Sequence, residues 1–429
     1  MKARRTQRLA TAVFLAAALL AAPPRGLCGG PVAENGSVPP TPDTGTSLQK
    51  GTVSSVLIMP QMELLAGVLS QTILIEWSGP QGEGNRYFRA LREFMARYRD
   101  HRAVGLAQRL TVGGFTADAP PGFVCHLGPP PELPLRYEYS AYLAQRAGGR
   151  ENLEEFRLAL ADLARESDFM GFYDSWKGAF SRWVAAATTG FDGAKVAGWL
   201  QEFFGWTGEF HTVLAPAMFP AGGYGAIIEH PVQGLISYQI VRDTGQGGDE
   251  PSFPSGESLE LLSLHEWGHA FVNPSLDRYS TRIMRLSPLL APVSDAMRRQ
   301  AYYGVQTFLN EQVLRGVNCL AARELYGRRV CELAIEDQER RGFYLTRFTI
   351  RHLEYYAAHR WQYPTFREFV PYLLDRYEEY LHQPPRRALP PYAAALVATL
   401  TAGAALVIWQ RVRSARWVRD QESRSGSRP

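Results

Sequence analysis

The spacing of hydrophobic and polar residues changes along the chain and separates extended from helical stretches. Between positions 51 and 130 the apolar runs SVLIMP and QTILIEW are typical of strands, RYFRALREFMARYRD has helical spacing, and RLTVGGFTADAPPGFV indicates short extended pieces. Residues 137–206 are helical in pattern, most clearly in ENLEEFRLALADLARE. Residues 211–244 turn extended again, and after the polar loop GGDEPSFPSGES helical patterns continue to Tyr380.

This order predicts an α+β fold with two lobes around a cleft. A small half with a mixed sheet would come first, and a helical half would follow it. The 429 residues are 45% hydrophobic and 21% charged, which is apolar enough for a substantial core. We assign residues 52–383 to this folded domain, a length that suits one large domain or two tightly joined lobes.

Both ends of the sequence indicate a membrane. In residues 1–28 a basic start precedes a short apolar run, the layout of a signal peptide, and residues 29–51 have the composition of a flexible linker. Residues 392–409 form an uncharged run just long enough for a transmembrane helix, although a buried Ala-rich core helix is the alternative. The arginine-rich residues 410–429 favour a cytoplasmic tail. We therefore expect a single-pass protein of a bacterial cell membrane, with its folded domain outside the cytoplasm.

Charge and cysteine content argue against two kinds of function. The formal net charge is only +4 and no central block is strongly basic, which argues against a nucleic-acid partner. The four cysteines include no CxxC pair, so nothing supports a thiolate zinc site. For Cys319 and Cys331, a disulfide and a pair of buried free thiols both stay open.

The segment SLHEWGHAFVNP carries the strongest chemical signal. His265 and His269 lie four residues apart, so on a helix both can present a ring nitrogen to one tetrahedral metal ion. Glu266 then lies beside the metal, where a carboxylate can take a proton from water attacking a carbonyl and pass it to the leaving amine. We expect the helix to stop at Asn273 and Pro274. The alternative is a helix whose histidines bond to backbone groups.

A catalytic zinc ion normally has three protein ligands and an open fourth position. The local pattern HExxHxxGxxH is absent, because valine and serine occupy the positions that need glycine and histidine. The third ligand is then a Glu on a later helix, with these candidates: Glu311, Glu324, Glu332, Glu336 and Glu339. Glu311 is favoured because it lies on an apolar helix face between Phe308 and Leu314, where a carboxylate needs a cationic partner. Glu324 comes next, and the alternative role for Glu311 is an ion pair with Arg315.

HExxH with a distant helical Glu resembles the gluzincin type of metallopeptidase. HEWGHAFVNP followed by NEQVLRGV, together with MPQMELLAGVL and the upstream GGYG, resembles a bacterial family defined as domain of unknown function 4932. This resemblance implies that His265, His269 and Glu311 bind Zn²⁺ and that Glu266 is the general base. Among them, thermolysin-like enzymes have an Asp four residues after the Glu ligand that supports a histidine. Here that position is Arg315, so the residues supporting the histidines stay unassigned.

Two further roles follow from the same resemblance. Gluzincins place an extended edge strand above the zinc ion to pair with the substrate backbone, and GGYGAIIEHP is the nearest upstream candidate. A donor that stabilises the oxyanion is also needed, and four side chains are conceivable: Tyr279, Tyr302, Tyr303 and His352.

The sequence thus predicts a membrane-anchored zinc metallopeptidase that hydrolyses peptide or protein substrates outside the cytoplasm. The competing hypothesis is a non-catalytic cell-surface binding protein on the same zincin-like scaffold. Glu266 favours the enzyme, because this carboxylate is not itself a ligand but is needed to activate water. The pattern indicates neither substrate preference nor oligomeric state.

Overall fold

The computed structural model describes residues 54–79, 83–219, 223–231 and 234–382. The signal peptide, linker, transmembrane helix and basic tail expected at 1–28, 29–51, 392–409 and 410–429 lie outside these described residues. Within them, no helix combines the length and the apolar composition needed to cross a bilayer.

A four-stranded mixed sheet lies beside the helices and matches the predicted α+β class. Its strands are β1 (Ser54–Leu57), β2 (Gly208–Ala215), β3 (Tyr224–His230) and β4 (Gly234–Arg242), in the order β1-β2-β4-β3. The strands β1, β2 and β4 pair in parallel, whereas β3 runs antiparallel to β4 and forms one edge. An edge strand leaves one row of backbone groups available for pairing with another chain.

Helices make up most of the remaining described chain. They are α1 (Pro60–Leu69), α2 (Leu74–Ser78), α3 (Arg86–Ala96), α4 (Arg102–Val112), α5 (Ala119–Cys125), α6 (Ala141–Ala147), α7 (Arg150–Glu166), α8 (Phe169–Ser175), α9 (Lys177–Thr188), α10 (Gly193–Phe204), α11 (Glu257–Asp277), α12 (Ser280–Met284), α13 (Ser294–Arg299), α14 (Val305–Tyr326), α15 (Arg328–Arg340), α16 (Thr346–Ala358) and α17 (Phe366–His382). Two short 3-10 segments, Ser287–Leu289 and Ala291–Val293, lie between α12 and α13.

Two of the predicted extended segments are helical instead. SVLIMP does supply β1, but QTILIEW contributes to α2, and RLTVGGFTADAPPGFV is divided between the end of α4 and α5. Short apolar runs do not distinguish a buried strand from a buried helix, which explains both errors. As a result the described chain between β1 and β2 is mainly helical, as predicted for residues 137–206 but not for these two segments. The division into two lobes stays a prediction.

The helix α11 carries the HExxH segment and packs closely on both sides. Phe210 on β2 lies 5.3 Å from the Trp267 ring and 5.8 Å from the Phe271 ring, between ring centroids. On the other side, a Cβ atom at Gly268 would lie only 2.5 Å from Leu314 Cδ1 on α14. The glycine between the two histidines therefore lets α14 approach α11 closely enough to bring Glu311 to them.

The predicted stop of α11 at Asn273 and Pro274 is wrong. The helix continues through Pro274 to Asp277. A proline inside a helix removes one backbone hydrogen bond, and the buried packing of α11 offsets that cost. Ser275 donates a hydrogen bond from Oγ to the Phe271 carbonyl at 2.6 Å in the same turn. The continuation keeps Asn273 in helical register, four residues after His269.

Glu63 on α1 is an ionisable group in the apolar core. It is fully buried, and neither carboxylate oxygen makes a well-aligned hydrogen bond, although the Tyr87 hydroxyl and the Ala217 backbone lie close enough to moderate its pKa. Burial still raises the pKa of Glu63 from 4.5 to about 8. The folded protein therefore holds a proton that the unfolded chain has lost at neutral pH, and stability falls as pH rises from about 4.5 towards 8.

Glu63→Gln, which cannot ionise, should therefore gain stability relative to the wild-type protein as pH rises. One pKa unit corresponds to about 1.4 kcal/mol, so we expect a relative gain of roughly 3 kcal/mol between pH 5 and pH 8 in the free energy of unfolding. Urea unfolding of both proteins at pH 5 and pH 8 measures this gain. Glu76→Gln, at an exposed position on α2, is the matched control and should show no such trend. A stability difference that does not vary with pH would contradict the assignment.

Candidate metal centre

Three potential ligands converge from two helices. His265 and His269 lie one turn apart on α11, and Glu311 faces them from α14. His269 Nε2 is 3.3 Å from Glu311 Oε1, and His265 Nε2 is 3.7 Å from Oε2. The ligand atoms of all three lie within 4.8 Å of one another. A tetrahedral ion with bonds of about 2.0–2.1 Å holds its ligand atoms about 3.3 Å apart, so this buried group could hold a metal ion.

The electrostatics of His265 and Glu311 suit metal binding, whereas His269 would have to lose a proton: burial works against its charged form, but the hydrogen bond and charge of Glu311 outweigh burial and raise the pKa of His269. Burial lowers the pKa of His265 well below its usual range, which favours the neutral imidazole that a metal requires. Burial alone would raise the pKa of Glu311, but the charges of Arg315 and the two histidines outweigh it and hold that pKa well below its ordinary value. The carboxylate is therefore ionised. The His269 side chain is 17% exposed, against 7% for His265 and 8% for Glu311, so the group is most open to solvent at His269.

Two asparagines support the imidazoles on their far side. His269 Nδ1 lies 3.2 Å from Asn273 Oδ1, and His265 Nδ1 lies 3.0 Å from Asn318 Nδ2. The Oδ1 atom of Asn318 is buried without a hydrogen-bond partner. Turning that amide by 180° keeps its shape and places Oδ1 against His265 Nδ1, which then donates its proton. Both rings would then present a bare Nε2 towards Glu311, the state that a metal ligand needs.

Sequence reasoning missed both asparagines. The sequence predicts Asn273 only as part of the end of the helix, and it predicts no role for Asn318. The signals were present in the spacing, since Asn273 follows His269 by four residues and Asn318 lies two turns after Glu311 on α14.

Asn318→Leu and Asn273→Leu should each weaken metal binding about 10–100-fold, because each removes the acceptor that orients one imidazole. Competition with a chromophoric zinc chelator measures the affinity. Asn318→Asp restores an acceptor and should recover most of the loss, which a purely steric role of Asn318 does not predict. Wild-type affinity in both leucine variants would show that neither amide orients a ligand.

Glu266 follows the potential ligand His265 on α11, and its side chain lies close to the start of the edge strand β3. It is only 4% exposed, and its Oε1 atom is buried without a hydrogen-bond partner in the described part of the chain. Burial raises the pKa of Glu266 to about 7. A Cβ atom placed on Gly223 or Gly225 would lie 3.6 Å from a Glu266 carboxylate oxygen, so the start of β3 passes directly over this side chain. The segment GGYGAIIEHP therefore supplies an edge strand, Tyr224–His230, next to Glu266, whereas its pairing with a substrate stays a prediction.

A family model described as Domain of unknown function (DUF4932) matches residues 81–375, which is more than half of the chain. The chain belongs to this family. In this DUF4932 protein the matched region includes β2–β4, α11 and α14, and therefore Glu266 and all three potential ligands. No curated protein and no solved structure matches the chain.

The other glutamates proposed as ligands lie elsewhere in the DUF4932 fold. Glu324 accepts a hydrogen bond from Trp199 Nε1 at 2.7 Å, and Glu332 and Glu339 both pair with Arg347. Glu336 is exposed. The alternative proposed for Glu311 is also present, because Arg315 Nη2 lies 2.8 Å from Glu311 Oε2. The ion pair and the histidine contacts therefore coexist on one carboxylate.

The structure also places residues for which the sequence predicted other roles. Of the four conceivable oxyanion donors, Tyr302 lies nearest in the hydrogen-bond network to a potential ligand: its hydroxyl accepts a hydrogen bond from the Arg315 side chain, which also pairs with Glu311. Tyr303 is 66% exposed.

Cys319 and Cys331 are buried free thiols with a hydrogen bond between them. Of the two alternatives predicted for this pair, a disulfide and free thiols, the structure has free thiols.

Proposed function

We propose that this protein is a zinc-dependent peptidase that cleaves peptide bonds outside the bacterial cytoplasm. The observation that carries the proposal is the convergence of His265, His269 and Glu311 next to the buried carboxylate of Glu266. Two imidazole nitrogens and one carboxylate oxygen form a donor set that suits Zn²⁺ and leaves a fourth position open. The extracytoplasmic location and the membrane anchor rest on the patterns at 1–28 and 392–409.

The chemistry follows from the positions of these side chains. A bound zinc ion supplies a Lewis acid that polarises a carbonyl and acidifies water. Glu266 takes the proton of the attacking water at a carboxylate oxygen and delivers it to the nitrogen of the leaving amine. Burial raises the pKa of Glu266 to about 7 in the metal-free site, and a zinc ion beside it would lower that pKa and so favour the carboxylate that accepts the proton.

The strand β3 supplies a means of orienting a peptide. Its outer edge has no strand partner among the described residues, and its first residues lie over Glu266. An extended peptide can add to such an edge through main-chain hydrogen bonds, which need no particular side chains. Main-chain pairing would hold a scissile bond beside the base and favours a peptide as substrate.

Metal analysis and peptide cleavage test the proposal on the purified full-length protein. We expect about one zinc ion per chain, cleavage of a casein-derived peptide library, loss of cleavage after chelation, and recovery on adding zinc. Bound zinc without any cleavage would favour the non-catalytic surface protein. Failure to bind any divalent metal would reject both the zinc site and the hydrolysis proposed from it.

A further inference from the structure

The face of the sheet that packs on α11 carries two buried polar side chains that the proposed hydrolysis does not use. Phe210 on this face of β2 contacts the Trp267 ring on α11, and Thr212 follows two residues later on the same face. Thr212 is paired in register with Gln239 on β4, so both side chains face α11. Both are fully buried. Neither the Thr212 hydroxyl nor either end of the Gln239 amide has a hydrogen-bond partner within the described residues.

The same row of the sheet continues to Gly225 on β3, next to Glu266. Gly225 is paired with Gln239, so a Cβ atom at Gly225 would lie on the face of the amide, about 4.5–5.5 Å from the Gln239 Cβ atom. It would also lie 3.6 Å from Glu266 Oε2 and 3.8 Å from the Glu266 carbonyl oxygen, and no other described residue apart from its chain neighbours would be within 4 Å. The glycine therefore leaves a methyl-sized space beside Gln239 and against the carboxylate. Gly225 is partly exposed, so solvent can enter this space.

The groups around this space include both donors and acceptors. The Thr212 hydroxyl can do either, Gln239 Nε2 donates, and Gln239 Oε1 and the Glu266 carboxylate accept. A hydrogen bond between Thr212 and Gln239 would satisfy only one end of the amide, and buried polar atoms almost always have a partner. A water molecule can accept from the other end of the amide and donate to the carboxylate at the same time, which an ion of either sign cannot do.

We propose that Gln239 is a positioning residue, which holds Glu266 through one ordered water molecule in the space beside Gly225. The Thr212 hydroxyl donates to Gln239 Oε1, and this bond turns Nε2 towards the water. Gln239 Nε2 donates to the water oxygen, and the water donates to the ionised carboxylate of Glu266, which can only accept. The carboxylate is thereby fixed to the sheet. The effect on cleavage rests on the proposed hydrolysis, whereas the water site itself does not.

A high-resolution crystal structure of the full-length protein tests the water site without any measurement of activity. We expect a water peak within about 3.2 Å of both Gln239 Nε2 and Glu266 Oε2. In Gly225→Ala the new methyl group fills the space at an ordinary contact distance, so the strand should be kept and the water lost. A wild-type structure without this peak, or an alanine variant that retains it, overturns the proposal.

Steady-state peptide cleavage tests the positioning role. Gln239→Leu should lower kcat about 10–100-fold, with zinc retained and KM changed by less than about twofold, because only the orientation of the carboxylate is lost. Thr212→Val keeps the shape of the side chain and should reproduce part of this loss. Ser237→Ala is the matched control and should keep wild-type kcat. It removes another fully buried, unpaired hydroxyl from the same face of β4, but its partner on β3 is Ile227 instead of Gly225.

The two measurements separate the possible outcomes. Wild-type kcat in Gln239→Leu overturns the positioning role, even where the water peak is present. A loss of zinc or a large rise in KM in that variant shows a general disturbance of the site and also overturns it. If the wild-type protein cleaves no peptide, the proposed peptidase fails, and the crystal structures still decide whether the water links Gln239 to Glu266.

Discussion

Glu266→Gln is expected to lower kcat/KM for peptide cleavage about 10²–10⁴-fold while the protein still binds about one zinc ion per chain. Glutamine keeps the size of the side chain but cannot take a proton from water. Glu266 is not one of the three potential ligands, so metal content should not change. Steady-state cleavage of a fluorogenic peptide and elemental analysis of the same preparation provide the two measurements.

The matched control for this change is Glu257→Gln, on the first turn of the same helix. It makes the same chemical substitution two turns before the ligands and should retain both zinc and cleavage. A Glu266→Gln protein that cleaves at the wild-type rate would exclude Glu266 as the base. Loss of zinc together with activity would instead place Glu266 among the groups that hold the metal.

Glu311→Gln is expected to abolish zinc binding and to destabilise the folded protein by about 3–5 kcal/mol. Two functions meet on this carboxylate. It faces both histidines, and it is the ion-pair partner of the buried Arg315. Removing its charge leaves the Arg315 guanidinium buried beside a neutral amide, which is costly in a region with little solvent. Elemental analysis and urea unfolding measure the two effects.

Glu324→Gln is the matched control, because it makes the same substitution on the same helix at a glutamate outside the group that could hold a metal ion. Its carboxylate is exposed and bonds to Trp199, so we expect zinc to be retained and stability to change by less than about 1 kcal/mol. If Glu311→Gln binds zinc as tightly as wild type, Glu311 serves only as the partner of Arg315. The alternative predicted from the sequence, an ion pair with Arg315 and no role in metal binding, would then be correct.

The part of the site that could be predicted lies within single helices or strands. The spacing of His265 and His269 on one helix face follows from 3.6 residues per turn, and the apolar neighbours of Glu311 identified it as a buried carboxylate. The edge strand over Glu266 was also found, through its glycines and the family resemblance. Each of these features has a local signal in the sequence.

The features that were missed depend on packing between distant elements. Whether α11 would continue past Pro274 depends on the helices and sheet that enclose it, not on the local sequence. Asn318 meets His265 only because Gly268 lets α14 approach α11 closely. Similarly, Gln338 on α15 accepts a hydrogen bond from Arg315 on α14, a contact between two helices that the spacing of residues in the sequence does not predict. Tertiary packing overrode the short apolar pattern of QTILIEW in the same way.

Crystals of the zinc-loaded protein, measured on both sides of the zinc absorption edge, would locate the ion directly. We expect one anomalous peak about 2.0–2.2 Å from Nε2 of His265, from Nε2 of His269 and from a carboxylate oxygen of Glu311. An ion bound by other residues, or electron density in which any of these three side chains turns away from the other two, would contradict it.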